Sequence, residues 1–230
     1  DFYDKRRNPL SWAPQLSGTG RANGDVRQSQ AEITRSHGSH VAGIIGAKGN
    51  NGIGTSGINW TTSLMALNAA NNDNMFTDND IVEAMHYAID NGAKVINMSL
   101  GSVAKVSPDD FKKPGLYNDY LDQTRNQYRK AFNKAVKKDV LIVMAAGNNG
   151  QLGAETRGWK NIGNLDESAH SIHAHATKKH LDNILLVGSI DPDLRISSYS
   201  SYGKRVDIVA PGGNKDKPIF ETDPITGQLS

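Results

Sequence analysis

The run "VLIVMAA" (140–146), followed at once by "GNNG", constrains this chain more than any other stretch. Seven consecutive apolar residues offer no polar face to solvent, and so short a run bounded by glycine and asparagine reads as a strand buried on both sides. Strands of that kind belong to parallel sheets covered by helices. Further strands are expected at "SLMAL" (63–67), "KVINMSL" (94–100), "NILLVGSI" (183–190) and "RVDIVAP" (205–211). Between them lie helical patterns. In "DNDIVEAMHYAIDNG" (78–92), Ile81, Val82, Met85, Ala88 and Ile89 form an apolar stripe. Thr77 or Asp78 can cap its start, and Gly92 can take the left-handed conformation that ends it. Over 117–138, Tyr117, Leu121, Tyr128, Phe132, Ala135 and Val136 recur at three- and four-residue steps and predict a helix that packs on one face. A Gly/Ala-rich helix is expected over about 37–47, and the polar residues 1–36 read as loop. Alternating strands and helices predict the α/β class.

With 230 residues the chain is expected to form a single domain. Lys and Arg number 26 against 24 Asp and Glu, a formal charge of +2 that gives no electrostatic case for nucleic acid or an anionic membrane as partner. The absence of cysteine excludes disulfides, thiolate metal sites and a cysteine nucleophile. No apolar run approaches the roughly 18 residues of a membrane span, and "DFYDKRRNPLSW" lacks the apolar centre of a signal peptide.

Ligands of open parallel sheets bind at the carboxyl ends of the strands. Here those ends read "NMSLG", "AAGNNG" and "VAPGG", small, polar and glycine-punctuated. A second feature is "SHGSHVAGIIGA" (36–47), with His37 and His40 three residues apart. The pair could ligate a metal, pack in the interior, or contain a general base. A zinc site wants a third ligand and often a carboxylate, whereas Gly and Ser lie between these two histidines. Asn148, in "GNNG", could occupy an ordinary turn or present its amide as a donor.

Together these motifs carry a family resemblance. "SHGSHVAG" (36–43) resembles the histidine motif of the subtilisin-like serine peptidases, with Ser39 where threonine is usual. "VINMSLG" (95–101), "AAGNNG" (145–150) and "APG" (210–212) resemble, in the same order, that family's substrate-binding strand, oxyanion loop and the turn before the nucleophile. The resemblance implies a three-layer subtilisin-like α/β fold, mostly parallel sheet with helices on both faces. It implies serine endopeptidase activity on a polypeptide substrate, with His37 as general base, His40 as a buried structural neighbour and Asn148 as oxyanion donor. Ser99, Leu100 and Gly101 would pair with an extended substrate, and Ala145, Ala146 and Gly147 would shape the pocket for the residue before the cut.

No cofactor is implied for catalysis. "GNNGIGTSG" (49–57) resembles a loop that binds structural Ca2+ in many subtilisins, with Asn51 offering a side-chain oxygen and Gly49, Ile53 and Thr55 offering carbonyls; a plain glycine-rich turn fits the same letters. A propeptide, or the remaining segments of the same protease, would be partners, and a secreted or periplasmic location would follow. Relative to compact members, 102–138 and 151–182 are insertions, and the histidine-rich "HSIHAHATKKH" (170–180) is expected to be solvated.

Within the resemblance, 1–36 is a polar loop region, 37–212 the recognisable core and 213–230 a loop approaching the nucleophile segment. The family's order is Asp, His, Ser. No D-[ST]-G strand precedes His37, where Asp1, Asp4 and Asp25 stand in other contexts, and "GQLS" before and including Ser230 is not the family's GTSxA. The chain by itself is therefore expected to be inactive, its parent supplying the aspartate and serine. The alternative is a noncatalytic subtilisin-like domain that binds peptides or other partners.

Overall fold

The apolar run becomes the second of four parallel strands. The computed structural model describes residues 30–52, 56–69, 76–100, 114–150, 163–166 and 172–214. The chain divides into two compact units, Asp1–Ala84 with Phe220–Ser230, and Met85–Ile219. In the second unit β1 (Val95–Met98), β2 (Leu141–Ala145), β3 (Ile184–Ile190) and β4 (Ile208–Pro211) form one sheet in the order β1-β2-β3-β4. Every neighbouring pair is parallel. Ile142 and Met144 on β2 and Ile184 and Leu186 on β3 are buried, whereas the alternate residues Leu141, Val143, Leu185 and Val187 are half-buried and Ala145 is exposed, so among the described residues the burial expected on both sides is complete on one face. β4 starts three residues later than the pattern 205–211 suggested, because Asp207 joins β3 through its own atoms. Its N–H donates to the Leu186 carbonyl at 2.9 Å, while its carboxylate accepts from the Leu186 N–H at 2.7 Å.

Helix α3 (Pro114–Lys137) packs against β2 and buries part of the apolar stripe expected of it, the side chain of Tyr117 lying outside the described residues. Thr124, Tyr128, Ala131, Phe132 and Ala135 are buried, whereas Leu121 is half-buried and Val136 exposed, so the buried face lies slightly to one side of the predicted one. Two residues past the helix, Asp139 adopts φ 53 while the Val140 N–H returns to the Ala135 carbonyl at 3.0 Å. Aspartate tolerates that left-handed turn better than most side chains.

Helix α2 (Asp78–Asp90) is capped at its start as foreseen. The Thr77 N–H donates to the Asp80 carboxylate at 2.8 Å, and the Asp80 N–H donates back to Thr77 Oγ1 at 3.3 Å, a reciprocal cap in which aspartate does the work of the usual glutamate. Gly92, with φ +83, closes the other end.

Two expectations fail in the first unit. Helix α1 spans Gln30–Gly46, so His37 sits within a helix rather than at its mouth. Gln30, Ala31, Glu32 and Arg35 are good helix formers, and their polarity disguised them as loop. The segment 63–67 forms no strand, and Leu64 and Met65 are exposed. Among the described residues the first unit has no strand to pair with it, and an isolated strand leaves its main-chain groups without a ladder. What the unit does build is a clasp on the end of α1. The N–H groups of Gly57, Ile58 and Asn59 donate to the carbonyls of Ala47, Ile44 and Ile45 at 2.9–3.0 Å. Gly57 has to be glycine there, since a Cβ would lie 2.4 Å from the Ala47 nitrogen.

The covering of the sheet by α3 generates a test. Phe132→Ala is expected to lower the unfolding free energy by about 3–5 kcal/mol in urea titration, while Lys130→Ala, on the exposed face, should change it by no more than about 0.5 kcal/mol.

Candidate active site

Register places the proposed substrate residues side by side. β1 and β2 pair Asn97 with Val143 and Met98 with Met144, so the next residues on the two strands are Ser99 and Ala145. Met98 is buried, Ser99 exposed and Leu100 half-buried, which marks where the chain emerges from the sheet. The Ser99 hydroxyl accepts from the Asn97 side chain at 3.0 Å. Gly101, the third residue of that set, lies outside the described residues.

Beyond β2 the chain leaves the sheet in a fixed way. The Ala146 N–H donates to the Val187 carbonyl at 2.8 Å, the last bond to β3. Gly147 then adopts φ +107, which a side chain would strain, and Asn148 follows with an exposed side chain. Residues 197–202 hold this loop from behind. The Ser201 N–H donates to the Gly147 carbonyl at 2.8 Å, the Asn149 N–H to Ser201 Oγ at 3.3 Å, and the Gly150 N–H to the Tyr199 carbonyl at 2.9 Å. An exposed amide donor on a loop tied down on both sides is the arrangement that stabilising a developing oxyanion requires.

The same hydroxyl-rich segment fixes the end of β4. Ser189 Oγ lies 2.8 Å from Ser197 Oγ and 2.7 Å from the Tyr199 hydroxyl, which donates to the Gly212 carbonyl at 2.9 Å. Asn214 accepts from the Ser198 N–H at 2.7 Å and donates to the Asp191 carboxylate at 2.9 Å. Sequence reasoning overlooked these residues. Their signal was "SSYSSYG" (197–203), a serine and tyrosine run too polar for a strand yet set between two strands.

In the first unit His37 is exposed on α1, and His40 is half-buried rather than buried. In the loop resembling a calcium site, Asn51 is exposed and Gly49 is buried beside the Trp60 ring, while Ile53 and Thr55 lie outside the described residues. Asn51 and Gly49 are two neutral donors without a carboxylate, short of the six to eight oxygens that Ca2+ takes, so the described residues do not by themselves fit the ion. Among the described residues no group of three or more His, Asp or Glu is placed to hold a metal. No helix among them is long and apolar enough to cross a membrane.

A family model described as the subtilase family matches residues 17–229. The chain belongs to the subtilase family. It is 32% identical to the thermophilic serine proteinase of Bacillus sp. (strain AK1), over 76% of this chain and 34% of that protein. It is 30% identical to subtilisin BL of Lederbergia lenta, over 89% of this chain and 61% of that protein. This subtilase chain therefore spans between about a third and three-fifths of these relatives' lengths. Among solved structures it is similar to the epidermin leader peptide processing serine protease of Staphylococcus aureus, with a TM-score of 0.56 and 26% identity over 77% of this chain and 40% of that one. It is also similar to proteases from Pseudoalteromonas arctica, with a TM-score of 0.53 and 25% identity over 80% of this chain and 45% of that one. The expected α/β class, a parallel sheet with helices, holds.

One feature of the subtilase chain reverses its expectation. Of the histidine-rich tract, His170 lies outside the described residues, but His173, His175 and His180 are buried rather than solvated. They sit on two 3-10 turns, Ile172–His175 and Lys178–Asn183, against α3. The His175 ring stacks on Tyr128 with centroids 5.1 Å apart, and the His180 ring lies 5.6 Å from Phe132. Imidazole faces are apolar enough to fill that space, provided their nitrogens find partners. His180 Nδ1 accepts from the Thr177 N–H at 3.0 Å, so its proton resides on Nε2, which donates to Asn133 Oδ1 at 3.0 Å. Arg129 and Arg205 donate to the carbonyls of His175 and His173, each at 3.1 Å.

Burial, reinforced by Arg205 and His175 and opposed by Asp207, pushes His173 down to about 4. Burial first, then Lys179 and Arg129, also lowers His180. Both are therefore neutral in the fold and take up protons more readily when unfolded. The contribution of His173 is fully present above about pH 6.5 and is lost as pH falls toward about 4, and that of His180 declines in the same direction. Urea titrations at pH 7 and 4.5 are expected to show stability falling with acid, His173 alone accounting for on the order of 3 kcal/mol across the whole window. His173→Gln should flatten that dependence; an unchanged slope would contradict it.

Proposed function

We propose that this chain supplies the general base, the oxyanion donor and the substrate-pairing strand of a serine endopeptidase, and that its two units belong to one peptidase domain. Serine attack on a peptide carbonyl needs a base that takes the hydroxyl proton and returns it to the leaving amine. In this reading His37 does both. The oxyanion of the tetrahedral intermediate accepts from the Asn148 side-chain N–H2, a neutral donor that brings stabilisation without a counter-charge.

The main chain of Ser99, Leu100 and Gly101 pairs with the extended substrate ahead of the cut, and Ala145, Ala146 and Gly147 form the opposing wall. The catalytic serine and aspartate are not assigned to residues of this chain. A propeptide or further segments of the same protease are the proposed partners, alongside a polypeptide substrate. A secreted or periplasmic location is part of the proposal and rests on the family relationship.

The observation that carries the reading is the juxtaposition at the sheet's carboxyl end. Ser99 and Ala145 directly follow the last register pair, Met98 and Met144, and three residues beyond Ala145 an exposed asparagine stands on an anchored turn. Membership of the subtilase family supports the chemistry. The structural likeness to a protease that processes a leader peptide supports a polypeptide substrate.

In the full-length protein, Asn148→Ala is expected to lower kcat by about 10²–10³ with little change in KM, the size such a donor carries in subtilisins. His37→Ala should abolish measurable turnover. A rise in KM alone after Asn148→Ala would give that residue a binding role instead. A full-length protein that binds peptides without cleaving them would be the noncatalytic domain.

A further inference from the structure

We infer that Ser201 is a positioning residue for the oxyanion donor, and this rests on the reading of Asn148 given above. Ser201 holds both residues that flank Asn148 in sequence. Its N–H donates to the Gly147 carbonyl at 2.8 Å, and its Oγ accepts from the Asn149 N–H at 3.3 Å. With 1% of its surface exposed, it is closed off from substrate and acts only through the loop it holds.

The loop needs such a hold. The last sheet bond is made at Ala146, and Gly147 at φ +107 turns the chain out of the β2 direction, so nothing in the ladder sets the orientation of the residues that follow. A Cβ on Gly147 would lie 3.1 Å from Ser201 Oγ, so the two residues are in close contact as well as hydrogen-bonded. Gly150 is fixed in parallel by its bond to the Tyr199 carbonyl. That bond and the Ser201 N–H bond to Gly147 use main chain only and survive a change of side chain at 201, so the serine hydroxyl governs the one remaining tie, at Asn149, directly after the donor. An oxyanion donor acts through its placement relative to a charge that exists only in the transition state. Loosening its loop should therefore reduce turnover rather than substrate binding.

The test is a double-mutant cycle in the full-length protease on a peptide substrate, comparing native, Asn148→Ala, Ser201→Ala and the double variant. Ser201→Ala is expected to lower kcat by up to about tenfold with KM within about twofold of native, the scale of one net hydrogen bond lost from the loop that places the donor. In the Asn148→Ala background the same change should cost less than about twofold, because the group it positions is gone. Ser201→Cys occupies similar space with a weak acceptor and should repeat both results if the alanine variant folds poorly.

An equal loss of kcat in both backgrounds would overturn the inference and leave the oxyanion reading standing. A raised KM with native kcat would do the same. Native kcat in Asn148→Ala alone would overturn the oxyanion reading itself, and the role of Ser201 with it.

Discussion

The site depends on the pairing of β2 with parallel neighbours on both sides. Ile142 and Met144 are buried, and both hydrogen-bonding edges of the strand are occupied, by β1 on one side and β3 on the other. A strand held in that way cannot slip by one residue without turning its buried set outward. Its carboxyl end is therefore fixed in position and direction, and whatever follows Ala145 inherits that precision. The sheet converts a run of seven apolar residues into a defined place for Asn148.

Precision at a strand end is lost within a residue or two unless something else takes over. In this chain a second layer of hydroxyls does so. Ser201 and Tyr199 hold the turn after β2, and Ser189, Tyr199 and Asn214 hold the turn after β4. The two turns thus share one supporting segment, residues 197–202. A disturbance there reaches both the proposed oxyanion loop and the chain that leaves the sheet through Gly212. Three buried histidines fill space against α3 that aliphatic side chains could have filled, and the lowered His173 and His180 tie the stability of this unit to pH.

Much of this was legible in the letters because each signal had a single physical cause. Unbroken apolar runs marked β2 and β3 as inner strands of a parallel sheet, although among the described residues only alternate positions are fully buried. The stripe on α3 was readable from its three- and four-residue period, and Thr77 and Gly92 announced the ends of α2. What was missed lay where one residue type serves two purposes. Gln30, Ala31, Glu32 and Arg35 suit a solvated loop or a helix, and the second was correct. "SLMAL" has the composition of a strand, but pairing depends on a neighbour that composition cannot announce. Histidine is polar by its nitrogens and apolar by its faces, so "HAHATKKH" looked solvated until Tyr128, Phe132, Asn133 and Thr177 provided partners for both. Ser201 was invisible for a related reason, because a buried serine that grips a distant loop leaves no periodic trace.

The central claim is that this chain contributes a working base and oxyanion donor to a serine nucleophile. Covalent labelling of the full-length protein with a fluorophosphonate tests it most directly, because the reagent reports an activated serine whatever the substrate. The account predicts stoichiometric labelling of one serine, lost in His37→Ala. Labelling that persists unchanged in His37→Ala, or a correctly folded full-length protein that takes no label, would contradict it.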